Sequence, residues 1–493
     1  MKVFRTLGIA LVVCMLGASL ASAQSWTTTT HPAPQAIGPI LQLRDGRILA
    51  HSDQGGNANV WYILTPDSSG SYVNGTWTGP YAMQSGYSPF FFSSTVMIDG
   101  KTIVIEGGEY NNGQAVWTTL GSLGTLTPFG GVSWVANSPP TGWGTIGDAQ
   151  SVVLANGKLL QANCCTKQTA IFNGPNSWVP SGNVTAKRND ESAYTLLPDG
   201  RVLMVDVQQN TTCNNSLKSS EFYDPNSGTW SCGPETTVQL WNQNDQELGA
   251  AVLMYNGKVL QIGGLPSATS VFNTATNLWE AGPTPPNGLN QADGPAALEP
   301  NGKVLAMLSP GLFQGGCQFL EYDPNTNTFA NAPNSPQCPG NSSFVGHLMI
   351  LPTGQIASID FDTTVHVYTP APGVVSGVAP TIFAASNTLI KGSKNNTLYG
   401  RQLNGLTENN AYGDDYQAAT NYPLVRLTDT FTGNVWYAFT HDDSSHTIQP
   451  GALGFTKFDL NPNMPGGVFI LEVVTNGIAS NPLRVNVLSQ GTN

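Results

Sequence analysis

A short hairpin motif recurs seven times between residues 41 and 356, and this repeat constrains the fold more than any other feature. Each copy is an apolar strand, a tight Asp-Gly, Asn-Gly or Thr-Gly turn, and a second apolar strand. The turn glycines are Gly46, Gly100, Gly157, Gly200, Gly257, Gly302 and Gly354. Asn-Gly and Asp-Gly between apolar runs indicate a hairpin, because the turn needs positive φ at its central residues. A repeat of roughly 50 residues is typical of propellers and other arrays.

Each unit continues with a third apolar strand and a fourth strand that carries an aromatic residue. The aromatic residues of the first six units are Trp77, Trp134, Trp178, Trp230, Trp279 and Phe329. The seventh unit has none, and we expect Trp26 on an N-terminal strand to complete it. Closing the ring in this way removes the unpaired sheet edge that an open array would leave. The repeat therefore predicts an all-β chain with a seven-bladed kelch-type β-propeller.

The two ends of the chain differ from the repeat. Residues 1–23 read as a secretory signal peptide, with basic Lys2 and Arg5, an apolar run and a cleavage site at Ala21-Ser22-Ala23. We expect the propeller over residues 24–370, a linker over 371–380 and an immunoglobulin-like β-sandwich over 381–493, where short alternating strands are separated by turn residues. The protein is thus predicted to be secreted, either extracellular or periplasmic.

Charge excludes several classes of partner. Only 10% of the residues are charged, and 19 basic residues face 31 acidic ones. This balance has the wrong sign for neutralising phosphates, so we expect neither nucleic acid nor an anionic membrane surface as a partner. No segment after the leader is long and apolar enough for membrane insertion, and we expect a soluble monomer.

The cysteines fit an oxidising compartment. Cys14 belongs to the leader, which leaves an even number of six. Two pairs bracket equivalent Tyr-Asp-Pro-Asn segments of the repeat, which predicts the local disulfides Cys213–Cys232 and Cys317–Cys338. The adjacent Cys164 and Cys165 either form a vicinal disulfide or stay as thiols. A metal or redox role for this pair is a further alternative, although metal sites usually space their cysteines by two to four residues.

A secreted kelch-type propeller followed by a C-terminal sandwich resembles the galactose oxidase and glyoxal oxidase family. Residues 465–480, the segment Ser445-His446-Thr447 and the Gly-Gly doublets at 107–108 and 263–264 carry the resemblance. It implies an extracellular oxidase acting on sugars or aldehydes. It also implies a copper ion held by two tyrosines and two histidines, with one tyrosine cross-linked to a cysteine. The tyrosines would start innermost strands, nine or ten residues before a turn glycine.

Those positions hold other residues in this chain. From the first unit to the seventh they are Ala36 and Ile37, Phe90 and Phe91, Gly147 and Asp148, Asp190 and Glu191, Glu247 and Leu248, Ala292 and Asp293, and Phe344 and Val345. None is Tyr, His or Cys, so the resemblance extends to the fold and we do not expect copper. The candidate metal ligands that remain are His347, two residues out of register, and His446, in a matching C-terminal context.

Carboxylates occupy several of these positions instead. The acids near the start of the inner strands in four consecutive units are Asp148, Asp190, Glu191, Asp245, Glu247 and Asp293. Because inner strands converge on the axis, we expect these groups at one face of the ring. Three interpretations remain open, namely a structural ring of hydrogen-bonded carboxylates, a Ca²⁺ site, since Ca²⁺ takes six to eight oxygens, and a pocket for a polar ligand or for acid–base chemistry. Residues 412–416, Tyr-Gly-Asp-Asp-Tyr, also form a segment of acidic and aromatic residues.

The leading hypothesis is a secreted protein that binds a polar extracellular ligand, such as a carbohydrate, at this carboxylate-lined face. The first alternative is an extracellular oxidase of galactose or glyoxal oxidase type with an altered metal site. The second alternative is a structural or adhesive scaffold, because the fold alone does not settle function.

Overall fold

The computed structural model describes residues 24–53, 58–413 and 418–489. The predicted signal peptide therefore lies outside the described residues. The first strands, in chain order, are β1 (Ser25–Thr28), β2 (Ile37–Gln42), β3 (Ile48–Ser52), β4 (Val60–Thr65), β5 (Thr76–Ala82), β6 (Pro89–Phe90), β7 (Ser93–Val96), β8 (Thr102–Glu106), β9 (Tyr110–Asn111), β10 (Gln114–Ala115), β11 (Gly121–Leu126) and β12 (Val132–Asn137).

The central part of the chain is also made of short strands. These are β13 (Ser151–Val153), β14 (Leu159–Ala162), β15 (Thr169–Phe172), β16 (Trp178–Pro180), β17 (Tyr194–Leu196), β18 (Val202–Val205), β19 (Ser220–Asp224), β20 (Thr229–Cys232), β21 (Leu248–Leu253), β22 (Lys258–Gly263), β23 (Thr269–Asn273), β24 (Leu278–Ala281), β25 (Ala296–Leu298), β26 (Val304–Leu308), β27 (Gln318–Asp323), β28 (Thr328–Asn331), β29 (His347–Ile350), β30 (Ile356–Ile359) and β31 (His366–Thr369). Short 3-10 turns occur at Pro286–Gly288, Cys338–Gly340 and Ser343–Val345.

These strands form antiparallel sheets in which each strand pairs with the next one of its unit. The sheets are β2–β5, β7-β8-β11-β12, β13–β16, β17–β20, β21–β24, β25–β28 and β29-β30-β31-β1, and a small sheet joins β6, β9 and β10. The innermost strands contact one another in succession, from β2 through β7, β13, β17, β21 and β25 to β29 and back to β2. The chain therefore folds into a closed β-propeller.

The turns and the aromatic residues explain why the repeat folds this way. Every hairpin glycine of the repeat has a positive φ, between 74° and 91°, a range that residues with a side chain rarely adopt. The strand β1 pairs with β31, and Trp26 lies opposite Tyr368 and also contacts Phe319 at 4.9 Å. An aromatic residue thus lies on the outermost strand of every one of the seven sheets.

The C-terminal region is a separate β-structure. Its strands are β32 (Thr381–Ala385), β33 (Thr388–Ile390), β34 (Asn396–Arg401), β35 (Asn410–Ala411), β36 (Leu424–Asp429), β37 (Val435–His441), β38 (Leu453–Asp459), β39 (Gly467–Thr475), β40 (Ile478–Ala479) and β41 (Leu483–Leu488). All except β35 belong to one nine-stranded sheet, which surrounds a core of buried aliphatic and phenylalanine side chains. The predicted fold class, an all-β propeller followed by a β-sandwich, is confirmed.

The sandwich covers the end of the propeller where the hairpin turns lie, which we call the turn face. A Cβ at Gly46 would come within 2.4 Å of Tyr437, and one at Gly100 within 2.4 Å of the carbonyl oxygen of Thr440. Strand β35 leaves the sandwich and pairs with β25 of the sixth sheet. The opposite end, where the inner strands begin, is called the mouth face. None of the described helices is long and apolar enough to cross a membrane.

Candidate functional site

A cavity of about 260 Å³ opens at the mouth face, where the inner strands converge. Its lining is Phe91, Glu109, Tyr110, Asp148, Glu191, Glu247, Asp293, Phe313 and Phe344. Four of the six acids selected from the sequence therefore lie together. They come from four consecutive sheets. The repeat places equivalent residues at equivalent heights along the axis, and this brings the four side chains together.

The backbone at the mouth is strained in a repeating way. Phe91, Glu191 and Asp293, each nine residues before the turn glycine of its unit, have φ values of 49°, 60° and 42°. A non-glycine residue in this region costs about 1–3 kcal/mol and persists only where the surroundings hold it. At Asp293 part of that restraint is a hydrogen bond from its backbone N–H to the carbonyl of Leu248, at 3.0 Å. Such strain is concentrated at functional sites.

Three of the carboxylates meet at the centre of the cavity. One ligand oxygen each from Glu191, Glu247 and Asp293 lies within 4.8 Å of the other two. Glu247 is only 8% exposed, and its Oε2 atom has no hydrogen-bond partner among the described residues. The Oδ1 atom of Asp293 also lacks one there. Apart from the hydrogen bond that joins the carboxyl groups of Glu247 and Asp293, these two oxygen atoms can accept hydrogen bonds from a ligand.

Burial and mutual repulsion shift the acid–base properties of this trio. Burial, reinforced by the charge of Asp293, raises the pKa of Glu247 to about 10. Burial also raises the pKa of Asp293 to about 7, although its hydrogen bond with Glu247 acts in the opposite direction. Glu247 is therefore a protonated donor at neutral pH next to Asp293, whose carboxyl group is partly ionised there. Carboxyl groups whose pKa values are pushed apart in this way are typical of functional sites.

Aromatic rings form the opposite wall. The ring of Phe344 lies 6.5 Å from that of Phe91 and 5.4 Å from that of Phe313, and Phe91 is 6.4 Å from Tyr110. Four of the acids come from the third to sixth sheets, whereas Phe91 precedes β7 of the second sheet and Phe344 precedes β29 of the last. The fifth acid, Glu109, follows β8 of the second sheet, so the phenylalanine rings lie within a largely acidic lining.

The other two selected acids lie outside this cavity lining. Asp190 forms an ion pair with Arg188 at 2.6 Å and lies beside the sulfurs of Cys164 and Cys165. Asp245 is exposed, and its carboxylate accepts a hydrogen bond from Asn242 Nδ2 at 2.9 Å. Asp190 directly precedes Glu191, and Asp245 lies two residues before Glu247, but the side chains of both make other contacts.

All six cysteines of the propeller are bonded. The pairs are Cys213–Cys232, Cys317–Cys338 and the vicinal Cys164–Cys165. The two local disulfides predicted from the repeat are present. Of the alternatives for the adjacent pair, the structure has the disulfide, so neither sulfur is a thiolate ligand beside Asp190.

The two candidate metal-binding histidines contact different residues. His347 stacks on Tyr412 with ring centroids 5.2 Å apart, and burial lowers its pKa to about 3. His446 is buried below the turn face, where its backbone N–H donates to Ala155, and burial also lowers its pKa to about 3. Neither belongs to a group of three or more possible metal ligands within the part of the chain that the structure describes.

Glu109, Tyr110 and Phe313 line the cavity but were not singled out in the sequence, whereas Tyr412 and Gly413 beside it belong to the acidic-aromatic segment 412–416. Glu109 and Tyr110 directly follow the Gly107-Gly108 doublet, which could have indicated them. Tyr412 and Gly413 belong to the C-terminal region and directly follow β35. The Tyr412 hydroxyl donates to the carbonyl of Phe344, and a Cβ at Gly413 would lie 2.1 Å from Asp293 Oδ1. Residues 414–416 of the acidic-aromatic segment lie outside the described residues.

Comparison with known proteins supports the fold only. No protein-family model and no curated protein sequence matches the chain. A fungal alcohol oxidase of the AA5 family in complex with copper is similar in structure, with a TM-score of 0.53 and 13% identity over 95% of this chain and 99% of that one.

Two further solved structures match less well. Virginiamycin B lyase from Staphylococcus aureus has a TM-score of 0.46 and 10% identity, covering 70% of this chain and 99% of that one. The extracellular domain of a hybrid two-component system from B. thetaiotaomicron has a TM-score of 0.46 and 10% identity, covering 96% of this chain and 60% of that one. At such identities a likeness carries no activity across.

Copper does not fit the cavity lining. The resemblance implies two tyrosines, two histidines and a cysteine cross-link, whereas the cavity offers four sheet-borne carboxylates, Glu109 and a single tyrosine, Tyr110. Carboxylate oxygens suit Mg²⁺, Ca²⁺ or Mn²⁺ better than copper, which favours imidazole and sulfur ligands.

Proposed function

We propose that this is a secreted propeller protein that binds a small polar ligand, a carbohydrate, in the mouth cavity. The observation that carries the proposal is the meeting of three carboxyl groups opposite a phenylalanine wall. Ionised carboxylates accept hydrogen bonds from hydroxyl groups, and the rings of Phe91 and Phe344 offer an apolar surface to the face of a sugar.

The size of the cavity limits the ligand. About 260 Å³ is just below the range of about 300–1,000 Å³ for drug-sized ligands. We therefore expect one sugar residue to enter, either free or as the end of a longer chain.

Calorimetric titration of the mature protein with neutral and charged monosaccharides tests the proposal. We expect one binding site per chain, loss of binding in Glu247→Gln and unchanged binding in the control Asp245→Asn, whose carboxylate is exposed. A folded protein that binds no sugar at millimolar concentration would contradict the proposal and leave the scaffold interpretation.

The second candidate is an extracellular oxidase with an altered metal site. The carboxylates of the cavity suit Mn²⁺ better than copper, and Mn²⁺ is a metal that can change oxidation state, with dioxygen as the final electron acceptor and peroxide as its product. Elemental analysis combined with an assay for peroxide release from sugars and aldehydes separates the candidates. Stoichiometric metal together with peroxide would establish the oxidase.

Secretion is part of the proposal. Three disulfides are typical of proteins from oxidising compartments. N-terminal sequencing of the exported protein should begin at Gln24, as the cleavage site Ala21-Ser22-Ala23 predicts.

A further inference from the structure

We propose that a cleft between the propeller and the sandwich is a second binding site, which takes a neutral oligosaccharide through a segment of two sugar residues. The inference goes beyond the function proposed above, because the cleft lies at the turn face and shares no residue with the mouth cavity. Three features lead to it, which are the size of the cleft, the placement of its aromatic side chains and the internal balance of its buried charge.

The cleft has the size and the location of a small-molecule site. Its volume is about 460 Å³, and it lies where the first two sheets of the propeller meet the start of β37. Sites for small ligands have volumes of about 300–1,000 Å³ and occur preferentially where domains meet. Beside the cleft, the backbone N–H of Val435 donates to the carbonyl oxygen of Ser68 at 2.8 Å. This bond helps to hold the sandwich side against the propeller side.

Two half-buried aromatic side chains on the propeller side are held in place by the backbone. Phe129 has a φ of 60°, which a bulky residue rarely adopts, and its backbone N–H donates to Asp45 Oδ2 at 3.1 Å. The ring of Tyr81 lies against Gly131, where an added Cβ would come within 2.2 Å of the ring. Both side chains line the cleft. Rings fixed in this way offer an apolar surface to the C–H face of a sugar ring.

The sandwich side adds aromatic and amide side chains to the lining. Trp436 is half-buried, and Tyr437 is buried against Gly46, where an added Cβ would come within 2.4 Å of its ring. The half-buried amides of Asn434 and Asn461 also line the cleft, and an amide both donates and accepts hydrogen bonds. A disaccharide segment can contact both sides of the cleft, whereas a single sugar contacts one. We therefore expect monosaccharides to bind the cleft only weakly.

The buried charge of the cleft is balanced within the protein. Arg47 binds both carboxylate oxygens of Asp45, with Nε donating to Oδ1 at 3.0 Å and Nη2 to Oδ2 at 2.7 Å. Among the described lining residues, the one other charged side chain is Asp67, whose Oδ1 atom accepts two backbone N–H groups of its own turn. An ionic ligand would therefore find no buried group that lacks a counter-charge, which favours a neutral ligand.

Arg47 also supplies hydrogen-bond donors that are already oriented. A guanidinium carries five N–H groups, and the bonds to Asp45 and to the carbonyl oxygen of Gly130, at 2.6 Å, use three of them. The Arg47 side chain is 10% exposed and lines the cleft, so the remaining two N–H groups can donate to a ligand. Their orientation is set before binding, which lowers the entropic cost of binding. Hydroxyl and ring oxygens of a neutral sugar are suitable acceptors.

The experiment is calorimetry of the mature Glu247→Gln protein, in which the mouth cavity is expected not to bind sugar, with cellobiose, maltose and lactose. We expect at least one of these neutral disaccharides to bind at one site per chain. Thr78 is exposed at the cleft. Adding Thr78→Trp should lower the affinity at least about tenfold, because an indole there takes the space of a sugar ring. The control Thr328→Trp, at an exposed position on β28 of the sixth sheet, should leave the affinity unchanged.

The outcomes separate this inference from the proposed function of the mouth cavity. Folded Glu247→Gln protein that binds none of the three disaccharides at millimolar concentration overturns the inference, whereas the mouth cavity is tested by monosaccharides on the unmodified protein. Binding that Thr78→Trp does not weaken also overturns it. Deacetylated chitobiose serves as a cationic comparison, and tighter binding of this diamine than of every neutral disaccharide would contradict the assignment of a neutral ligand.

A second measurement applies should either variant fail to fold. Hydrogen exchange of the unmodified protein is followed by mass spectrometry with and without the disaccharides. We expect slower exchange of the backbone N–H groups of residues 129–131 and 434–437 when a disaccharide is bound. Protection confined to other segments, or no protection, would overturn the inference.

Discussion

The two faces of the propeller bury ionisable groups in opposite ways. On the turn face, Arg44 and Asp443 form a fully buried ion pair at 2.6 Å, and Glu408 accepts a hydrogen bond from the backbone N–H of Leu196. On the mouth face, Glu247 and Asp293 face like charges. The buried Arg44 on the turn face therefore has a counter-charge, whereas Glu247 and Asp293 at the mouth have like charges beside them. An ion pair of this kind joins the propeller to the sandwich, and the carboxyl groups of the mouth repel one another.

Breaking the buried ion pair of the turn face should have the largest effect on stability. The change Asp443→Asn leaves the Arg44 guanidinium buried without its counter-charge, and we expect a loss of about 3–5 kcal/mol in the free energy of unfolding. Urea denaturation measures it. The double variant Arg44→Met/Asp443→Leu is the matched control and should recover most of the loss, because apolar pairs of similar volume replace buried ion pairs well. A loss below about 1 kcal/mol in Asp443→Asn would show that the pair is not the link between the domains.

Relieving repulsion on the mouth face should have an effect of opposite sign. The folded-state pKa of Asp293 is about 7 and lies above its ordinary value, so the native state holds a proton that the unfolded chain has lost. Its contribution to stability therefore falls as pH rises from about 4 to 7. We expect Asp293→Asn, which tolerates the positive φ, to match the wild type at pH 4 and to exceed it by on the order of a few kcal/mol at pH 7.

Denaturation curves at pH 4, 5, 6 and 7 measure this difference, with Asp245→Asn as control. A stability difference that is independent of pH would contradict the proposed repulsion among the carboxyls.

A change at Tyr412, which follows β35, should have an intermediate effect on stability. Tyr412 comes from the C-terminal region, donates its hydroxyl to the carbonyl of Phe344 and stacks on His347. Replacing it by Phe keeps the stacking and removes one hydrogen bond, so we expect a loss of about 1 kcal/mol. A parallel titration with sugar should show weaker binding, since Phe344 lines the cavity. Unchanged stability and binding would mean that this contact does not connect the faces.

The smallest effect is expected at Asp245, which was selected from the sequence but lies outside the lining of the cavity. Asp245→Asn changes an exposed carboxylate that contacts Asn242, so its stability should stay within about 0.5 kcal/mol of the wild type. Sugar binding should also be unchanged. A clear loss of sugar binding would show that Asp245 contributes to the binding site.

Local signals explain what could be predicted. The Asp-Gly and Asn-Gly turns need only two residues to specify a hairpin, and the Trp positions follow from the repeat. Asp148, Glu191, Glu247 and Asp293 were found because counting back from a turn glycine fixes the height of a residue on its strand. Asp245 lies two residues before Glu247 in the sequence, but its side chain is exposed and accepts a hydrogen bond from Asn242.

Residues outside the repeat could not be found in this way. Glu109 and Tyr110 lie on the excursion between β8 and β11, and Phe313 lies between β26 and β27. Tyr412 reaches the axis from the C-terminal region, at a sequence distance that no periodic pattern encodes. His347 and His446 were selected as candidate metal ligands because of the family resemblance and not because of a geometric signal in the chain.

The pairing of β35 with β25 has a consequence for the way the protein is made. Asn409 donates to the carbonyl of Leu298, a partner 111 residues earlier in the chain, so the sixth sheet cannot be completed when it leaves the ribosome. Contacts so distant in sequence slow folding and leave apolar strands exposed in the meantime. A nascent chain that stops before residue 409 would keep an open edge on β25 and be prone to aggregation. Synthesis of the propeller alone should therefore yield less folded protein than synthesis of the whole chain.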